Sequence, residues 1–456
     1  MRTTRYAAAR SSNKSKIAIM HIRQTITLTL LLIGSITPLV AQKRYTLMEC
    51  IETALGNNRN IKQQELNRQQ REIAYSQARA DLLPSLNASA GQNFVFGRSI
   101  GLDNVYQNTN SSQTSFGLGA DITLFDGLRM KHNIDARKAE MYASEADLEK
   151  MQDDIVMSVT TAFLQALLNK ELLQIAESQL ALTQADIARR TELVKSGKMA
   201  QGELYEQEAQ LAREELNRVQ AESNLRLALL DLAQIMELDE FDHFDVTAPP
   251  AETLISETPL LASGAVYESA LVNRPIIRSM QYQIESSEKE MLMAKSQFYP
   301  SLSFGANMGT GYYKMSGRDN DPLGTQLRNN MSNSLGFSLR IPIFNKFQVR
   351  NNIHSAELAI ANTRLEMDKT KLELRKQIEQ AYYNAVGAKS RWEAAQKSVT
   401  ASDEAYRFAE QKFENGRANA YELFLAKNNQ TQALGEEAQA KYEYAFRLKI
   451  LELLKD

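Results

Sequence analysis

The chain has 456 residues, with 53 Lys and Arg against 55 Asp and Glu, for a formal net charge of −2. That near-balance excludes general nucleic-acid binding, which needs a basic face; 43% hydrophobic and 24% charged residues exclude wholesale disorder. The single cysteine, Cys50, excludes an internal disulfide and a cysteine-based zinc site, the four histidines are scattered at 21, 132, 243 and 354, and no cofactor is expected.

The N-terminus reads as an address. No acidic residue precedes Glu49, whereas Arg2, Arg5, Arg10, Lys14, Lys16 and Arg23 do, and the charge-free stretch Gln24 to Gln42 holds an apolar run from Ile26 to Val40. A basic start, a short apolar run and a small residue describe a secretory signal peptide over residues 1–41, cut after Ala41. Leu39 occupies the −3 position where a small residue is preferred, so the cut is placed only to within a few residues. Met20-His-Ile-Arg23 is also a complete short n-region, which makes Met20 a second candidate start. An uncleaved anchor is the competing reading; Gly34, Pro38 and the Ser/Thr content make poor hydrocarbon filler where a span wants roughly 20 apolar residues. Cys50 lies well past the apolar run, so it reads as a small buried apolar side chain and not as a lipidated one.

Period-2 patterns follow. After Leu83-Pro84-Ser85-Leu86 a strand pair is expected at about 86–97 and 114–125, where Phe116, Leu118, Ala120, Ile122 and Leu124 alternate with polar or small residues. Such segments have the length of a tilted membrane strand. A polar loop lies between them. From Arg129 to Lys195 there is no Pro and no Gly, and Val159, Ala166, Leu173, Leu180, Ile187 and Val194 step by seven. A helix of that length would span roughly 100 Å, and the step keeps one seam in register with a partner helix. The turn Lys195-Ser-Gly-Lys-Met-Ala-Gln-Gly-Glu-Leu204 folds the chain back, Gly197 suiting the left-handed residue that ends a helix. A return helix with Tyr205, Ala209, Ala212, Leu216 and Val219 on one face closes an antiparallel hairpin.

The chain then repeats itself. Ala54-Leu55 matches Ala270-Leu271 and Pro84 matches Pro300 at an offset of 216; Phe125 matches Phe344, Ala166 matches Ala385, Gly197 matches Gly416 and Leu204 matches Leu423 at 219. The layout is therefore a first repeat over 42–240, a Pro-bearing linker over 241–261 and a second repeat over 262–456. The second repeat holds a strand pair at about 301–313 and 333–344, a long helix with Ile378, Ala385, Trp392, Val399, Tyr406 and Phe413 on its seam, and the turn Phe413-Glu-Asn-Gly-Arg-Ala-Asn-Ala-Tyr-Glu-Leu423. The fold class expected is mainly α, with long helical hairpins and four β-strands. Four strands cannot close, and open edges in hydrocarbon are costly, so two copies with eight strands or three with twelve are needed. No further strand is legible. G-x-S-x-G, H-E-x-x-H and phosphate-loop patterns do not occur, and no enzyme is expected.

Together the LLPSL and FYPSL strand starts, the LFDG and IPIF strand exits and the paired turns SGKMAQGEL and NGRANAYEL resemble the TolC family of outer-membrane efflux factors over about 45–456. The resemblance implies a homotrimer whose strands share one 12-stranded barrel in outer-membrane lipid and whose helices form a tunnel across the periplasm. It implies a passive exit duct for a tripartite efflux or type I secretion system, gated at its helical end, with a periplasmic adaptor and an inner-membrane pump as partners. It places the acidic entrance ring at Glu203, Glu422 and Glu206, with Leu425 where a fourth acid would stand. The adaptor contacts fall at Gly197, Lys198, Gly416, Arg417, Leu204 and Leu423, and here Lys198 and Arg417 replace the family's usual apolar residue. The alternative is a periplasmic helical-hairpin protein, structural or adaptor, without a barrel.

Overall fold

The computed structural model describes residues 43–100, 104–108, 110–239, 244–248 and 260–455. The expected signal peptide over 1–41 and much of the expected linker, including Pro249, Pro250 and Pro259, lie outside them.

Strand β1 (Lys43–Tyr45) leads into α1 (Leu47–Asn57). Thr46 and Glu49 form a capping box there: the Glu49 N–H donates to Thr46 Oγ1 at 3.3 Å and the Thr46 N–H to Glu49 Oε2 at 2.8 Å. Asn58 separates α1 from α2 (Arg59–Ala80) and caps α2 by accepting from the Asn60 N–H at 2.9 Å. After Pro84 the chain enters β2 (Ser85–Val95), then a short hairpin of β3 (Arg98–Ile100) and β4 (Tyr106–Asn108), then β5 (Ser111–Phe125).

Gly127, at φ +69°, turns β5 into α3. A Cβ at this position would lie 2.6 Å from the Ser296 carbonyl and 2.7 Å from Tyr299 Cβ, so only glycine lets the two halves approach here. Asp126 covers the start of α3 by accepting from the Met130 N–H. Helix α3 (Arg129–Lys195) runs unbroken for 67 residues, as the lack of Pro and Gly predicts, and α4 (Gln201–Ile235) returns along it.

After β6 (Phe244–Val246) the elements recur: α5 (Ser263–Asn273), α6 (Pro275–Ser296), β7 (Ser301–Met315), α7 (Leu323–Asn329), β8 (Ser332–Arg340), α8 (Gln348–Glu414) and α9 (Ala420–Lys455). Pro275 stands at the first position of α6, where its missing N–H costs nothing. Helix α8, like α3, has 67 residues.

The long strands form one antiparallel sheet in the order β2-β5-β7-β8. Register rows such as Leu86–Ala120–Ala306–Leu335 and Ile122–Phe304–Phe337 put the apolar residues on one face. The Ser, Gly and Asn residues take the other. Among the described residues the outer strands β2 and β8 each have one edge without a partner strand.

Several features depart from the sequence expectation. The apolar pattern carries the last strand to 344, but its ladder ends at Arg340 because Pro342 has no N–H to donate. Strand β5 starts at Ser111, inside the expected polar loop, because its Ser-rich start pairs with the upper part of β7. Among the described residues four short strands add to the expected four. Among them β1 and β6 pair in parallel, a ladder too short to show periodicity. The stretch between the two expected strands of the second repeat contains α7, whose side chains replace a strand. Beyond the point where β8 starts, Gln326 bonds both backbone groups of Tyr313 at 2.9 Å, Asn330 donates to the Gly311 carbonyl at 2.7 Å, and Asn320 accepts from the Met315 N–H at 2.9 Å. Backbone groups that would face an open edge are satisfied this way.

Helix α3 packs on α2 and α6 along its first half and on α4 and α9 along its second. Helix α8 packs on α6 and then on α9. Two apolar cores sit midway along the long helices. Cys50, Ala54, Val159, Phe163, Leu167, Leu232, Met236 and Val246 form the first. Val266, Ala270, Ile277, Ile378 and Leu451 belong to the second. The Cys50 thiol is pushed up to about 12 by burial and then by Glu49, so it stays neutral and packs as a small apolar group.

Candidate functional site: the paired hairpin turns

Both hairpins close with the same backbone motif. At the end of α3 the Lys198 N–H bonds the Leu193 carbonyl at 2.9 Å and the Gly197 N–H bonds the Val194 carbonyl at 3.0 Å. At the end of α8 the Arg417 N–H bonds the Lys412 carbonyl at 2.8 Å and the Gly416 N–H bonds the Phe413 carbonyl at 3.0 Å. These crossed bonds form a Schellman motif, which needs a left-handed residue. Gly197 and Gly416 supply it, at φ +70° and +66°. A Cβ at either would meet nothing within 4 Å, so conformation and not space selects glycine.

Gly197, Lys198, Gly416 and Arg417 are exposed at the tips, and Leu204 and Leu423 are half-buried one turn in. The three expected entrance carboxylates are not brought together within the chain. Glu203, half-buried, points toward Arg190, with Oε2 4.0 Å from Nη1. Glu422 accepts from Lys412 Nζ at 3.2 Å on the other hairpin. Glu206 is exposed on the next turn of α4.

The return helices start differently. The Asn419 side chain accepts from the Glu422 N–H at 2.9 Å and caps α9. Ala200 precedes α4 and has no side chain to do so.

Sequence reading missed the polar groups beneath the tips. The Arg190 side chain is only 5% exposed; its Nε donates to Asp186 Oδ2 at 2.6 Å, and its guanidinium lies 5.1 Å from the Phe413 ring, joining α3 to α8. Deeper in, Lys427 of α9 reaches across α3, with Nζ 2.5 Å from Thr183 Oγ1 and 3.6 Å from Glu214 Oε1 of α4. Gln210 donates to the same Glu214 oxygen at 3.1 Å. Gln179 Oε1 and Glu214 Oε2 are buried without a hydrogen-bond partner. A cleft between the hairpins is lined by Asp186, Arg190, Tyr406, Phe413, Leu423 and Phe424. In it the Tyr406 hydroxyl donates to Glu410 at 3.4 Å and is pushed up to about 12, chiefly by burial and then by the Glu410 charge. The available signal was polar residues at 179, 183 and 190, spaced 4 and 7 apart on an inward face of α3.

A buried ion pair of this kind adds little net stability, because desolvation offsets most of the attraction. Its side chains come from α3 and α4 of one hairpin and α9 of the other, so the cluster links the two. Among the described residues no group of His, Cys, Asp and Glu could hold a metal ion, and no helix is long and apolar enough to cross a membrane.

The arrangement of two long hairpins below a four-stranded sheet coincides with a known family. The profile for "Outer membrane efflux protein" matches residues 50–236 and 266–454. The chain belongs to that family. It is similar to Toxin and drug export protein A of Aggregatibacter actinomycetemcomitans, at 23% identity over 400 residues, 86% of this chain and 82% of that one. It is also similar to protein CyaE of Bordetella pertussis, at 25% identity over 419 residues, 90% of this chain and 83% of that one. Its fold matches the open state of the MtrE outer membrane channel of Neisseria gonorrhoeae with a TM-score of 0.73 at 21% identity, covering 90% of this chain and 88% of that one. This efflux-family chain is thus an outer-membrane channel component of the TolC type that extends into the periplasm. The barrel-less periplasmic alternative is not favoured.

Proposed function

We propose that three copies of this chain, exported by the signal over 1–41, assemble into one passive exit duct that performs no chemistry of its own. The single observation that carries this reading is the unclosed sheet, apolar on one face, with a free edge on both β2 and β8. In hydrocarbon, unpaired backbone groups at those edges cost several kcal/mol each, so β8 of one copy must pair with β2 of the next. The helices beside these edges agree. Leu358, Leu365 and Leu372 form an exposed seven-residue stripe on α8, and Leu66 and Ile73 are exposed on α2. A stripe of that spacing is a helix-packing seam awaiting a partner.

In this reading Glu203, Glu206 and Glu422 from each copy narrow the periplasmic mouth. Carboxylates lining a narrow mouth favour cations. The tips, with Gly197, Lys198, Leu204, Gly416, Arg417 and Leu423, contact a periplasmic adaptor, and an inner-membrane pump supplies the energy. Relatives named for toxin and drug export and for protease secretion support a secretion or efflux setting.

The test is the native mass of protein extracted from the outer membrane in detergent, corrected for bound detergent. A mass of three mature chains is expected. A monomer would remove the duct reading.

A further inference from the structure

The polar face of the sheet is nearly free of charge. Over its four strands it presents Ser85, Asn87, Ser89, Gly91 and Asn93 on β2, with Ser, Gly, Asn and Gln filling most of the corresponding positions on β5, β7 and β8. Among the described strand residues only two charged side chains stand on this face, Asp121 of β5 and Arg340 of β8. Register fixes their placement: Asp121 is opposite Ser85 and Gly305, and Arg340 is opposite Ser301. Both are exposed, and neither makes an ion pair or hydrogen bond among the described residues. Asp121 leans over Gly305, whose missing Cβ would lie 3.1 Å from Asp121 Oδ1. The carboxylate is thereby laid along the wall.

We infer that Asp121 and Arg340 form two opposed charge belts in the bore of the barrel that set its ion selectivity independently of the helical tips. The inference rests on the duct reading, in which the polar face lines the lumen. Arg340 sits where β8 hands over to the helical part, so its belt is the periplasmic one. Two strands across and four residues along separate it from Asp121, roughly 16 Å by strand spacing and rise. That is too far for the two to neutralise each other. If three copies close a 12-stranded barrel, its radius is roughly 13 Å from strand spacing and tilt. The Debye length is about 10 Å at 0.1 M salt and about 3 Å at 1 M, so the belts reach most of the bore only in dilute salt. A cation leaving the periplasm meets a guanidinium belt first and a carboxylate belt second.

The experiment is the reversal potential of the purified full-length protein in a planar bilayer under a KCl gradient. At about 0.1 M salt, Arg340→Gln should raise the K+ to Cl− permeability ratio and Asp121→Asn should lower it, each by about twofold or more, and both shifts should vanish near 1 M. Conducting variants with wild-type ratios at low salt would overturn the belts and leave the duct standing. A wild-type protein that never conducts would overturn the duct and the belts together. A second route avoids charge deletion. Because Cys50 is buried, a negatively charged methanethiosulfonate should act only on an introduced thiol. It should shift the ratio of Asp121→Cys and leave Leu118→Cys, on the apolar face, unaffected. The reverse pattern would place Asp121 outside the bore and overturn the proposal.

Discussion

The two hairpin turns share a backbone and differ in wiring. Each ends a 67-residue helix with a left-handed glycine and the same crossed hydrogen bonds. In the first turn the acidic residue six positions after the glycine, Glu203, looks inward to a buried arginine that also bonds Asp186 and stacks near Phe413. In the second, Glu422 looks outward to an exposed lysine, and its own N–H is capped by Asn419. Backbone closure is thus set locally by glycine, whereas the electrostatics are set by which helix lies beneath. Arg190 joins the two tips through Phe413, and the exposed pair Arg189–Glu414 joins them again at 3.3 Å, but only in the first tip does the turn carboxylate face a buried partner.

Arg190→Ala tests that asymmetry hardest. Removing it strands Asp186 and Glu203, both partly solvated, and loses the contact with Phe413, for a cost of about 2–3 kcal/mol. It should lower the melting temperature followed by helical circular dichroism and speed protease cleavage near Lys195 and Lys198. A stability loss no larger than that of an exposed pair would mean that the buried partner in the first tip holds no more than the exposed partner in the second. Gly197→Ala and Gly416→Ala come next, at about 1 kcal/mol each. They should match, since both sites are open and only the conformation resists; unequal losses would show that one turn is packed against something else. Asn419→Ala should cost about 1 kcal/mol, and Ala200→Asn should recover up to that amount in the first turn by supplying the cap it lacks. No gain at Ala200 would mean that α4 frays for reasons other than its cap.

The sequence makes long elements legible and short ones not. Sixty-seven residues without Pro or Gly, from Arg129 to Lys195, leave no alternative to one helix, and the alternation from Phe116 to Leu124 leaves little alternative to a strand. β1 and β6 have three residues each, too few for any period, and they form because Tyr45 and Phe244 meet over the first core, with ring centroids 5.3 Å apart. Asp245 then takes Lys170 of α3 as its partner at 2.8 Å, a contact across 75 positions that no local pattern encodes. At the turns, the spacing from glycine to carboxylate was visible, but Arg190 and Lys427 were not. They look like solvated helix residues until packing puts α3 between its own return helix α4 and α9 of the other hairpin. Polar residues on a seam are the trace such packing leaves.

Lys412→Ala should have the smallest effect on stability and for that reason discriminates well. Lys412 and Glu422 are 57% and 49% exposed, and such pairs contribute about 0.2–1 kcal/mol, less in salt. The melting temperature should hardly move. If Glu422 narrows the mouth of the duct, however, losing Lys412 removes one positive charge per copy from beside it, and cation preference should rise in dilute salt with stability unchanged. Arg190→Ala should do the opposite, destabilising strongly while changing selectivity less, because its charge is buried and already shared with Asp186. A large stability loss for Lys412→Ala would mean that the pair is buried against a neighbouring copy and is not exposed at all. The carboxylate of the second tip would then have a buried partner between copies, as that of the first has within one chain.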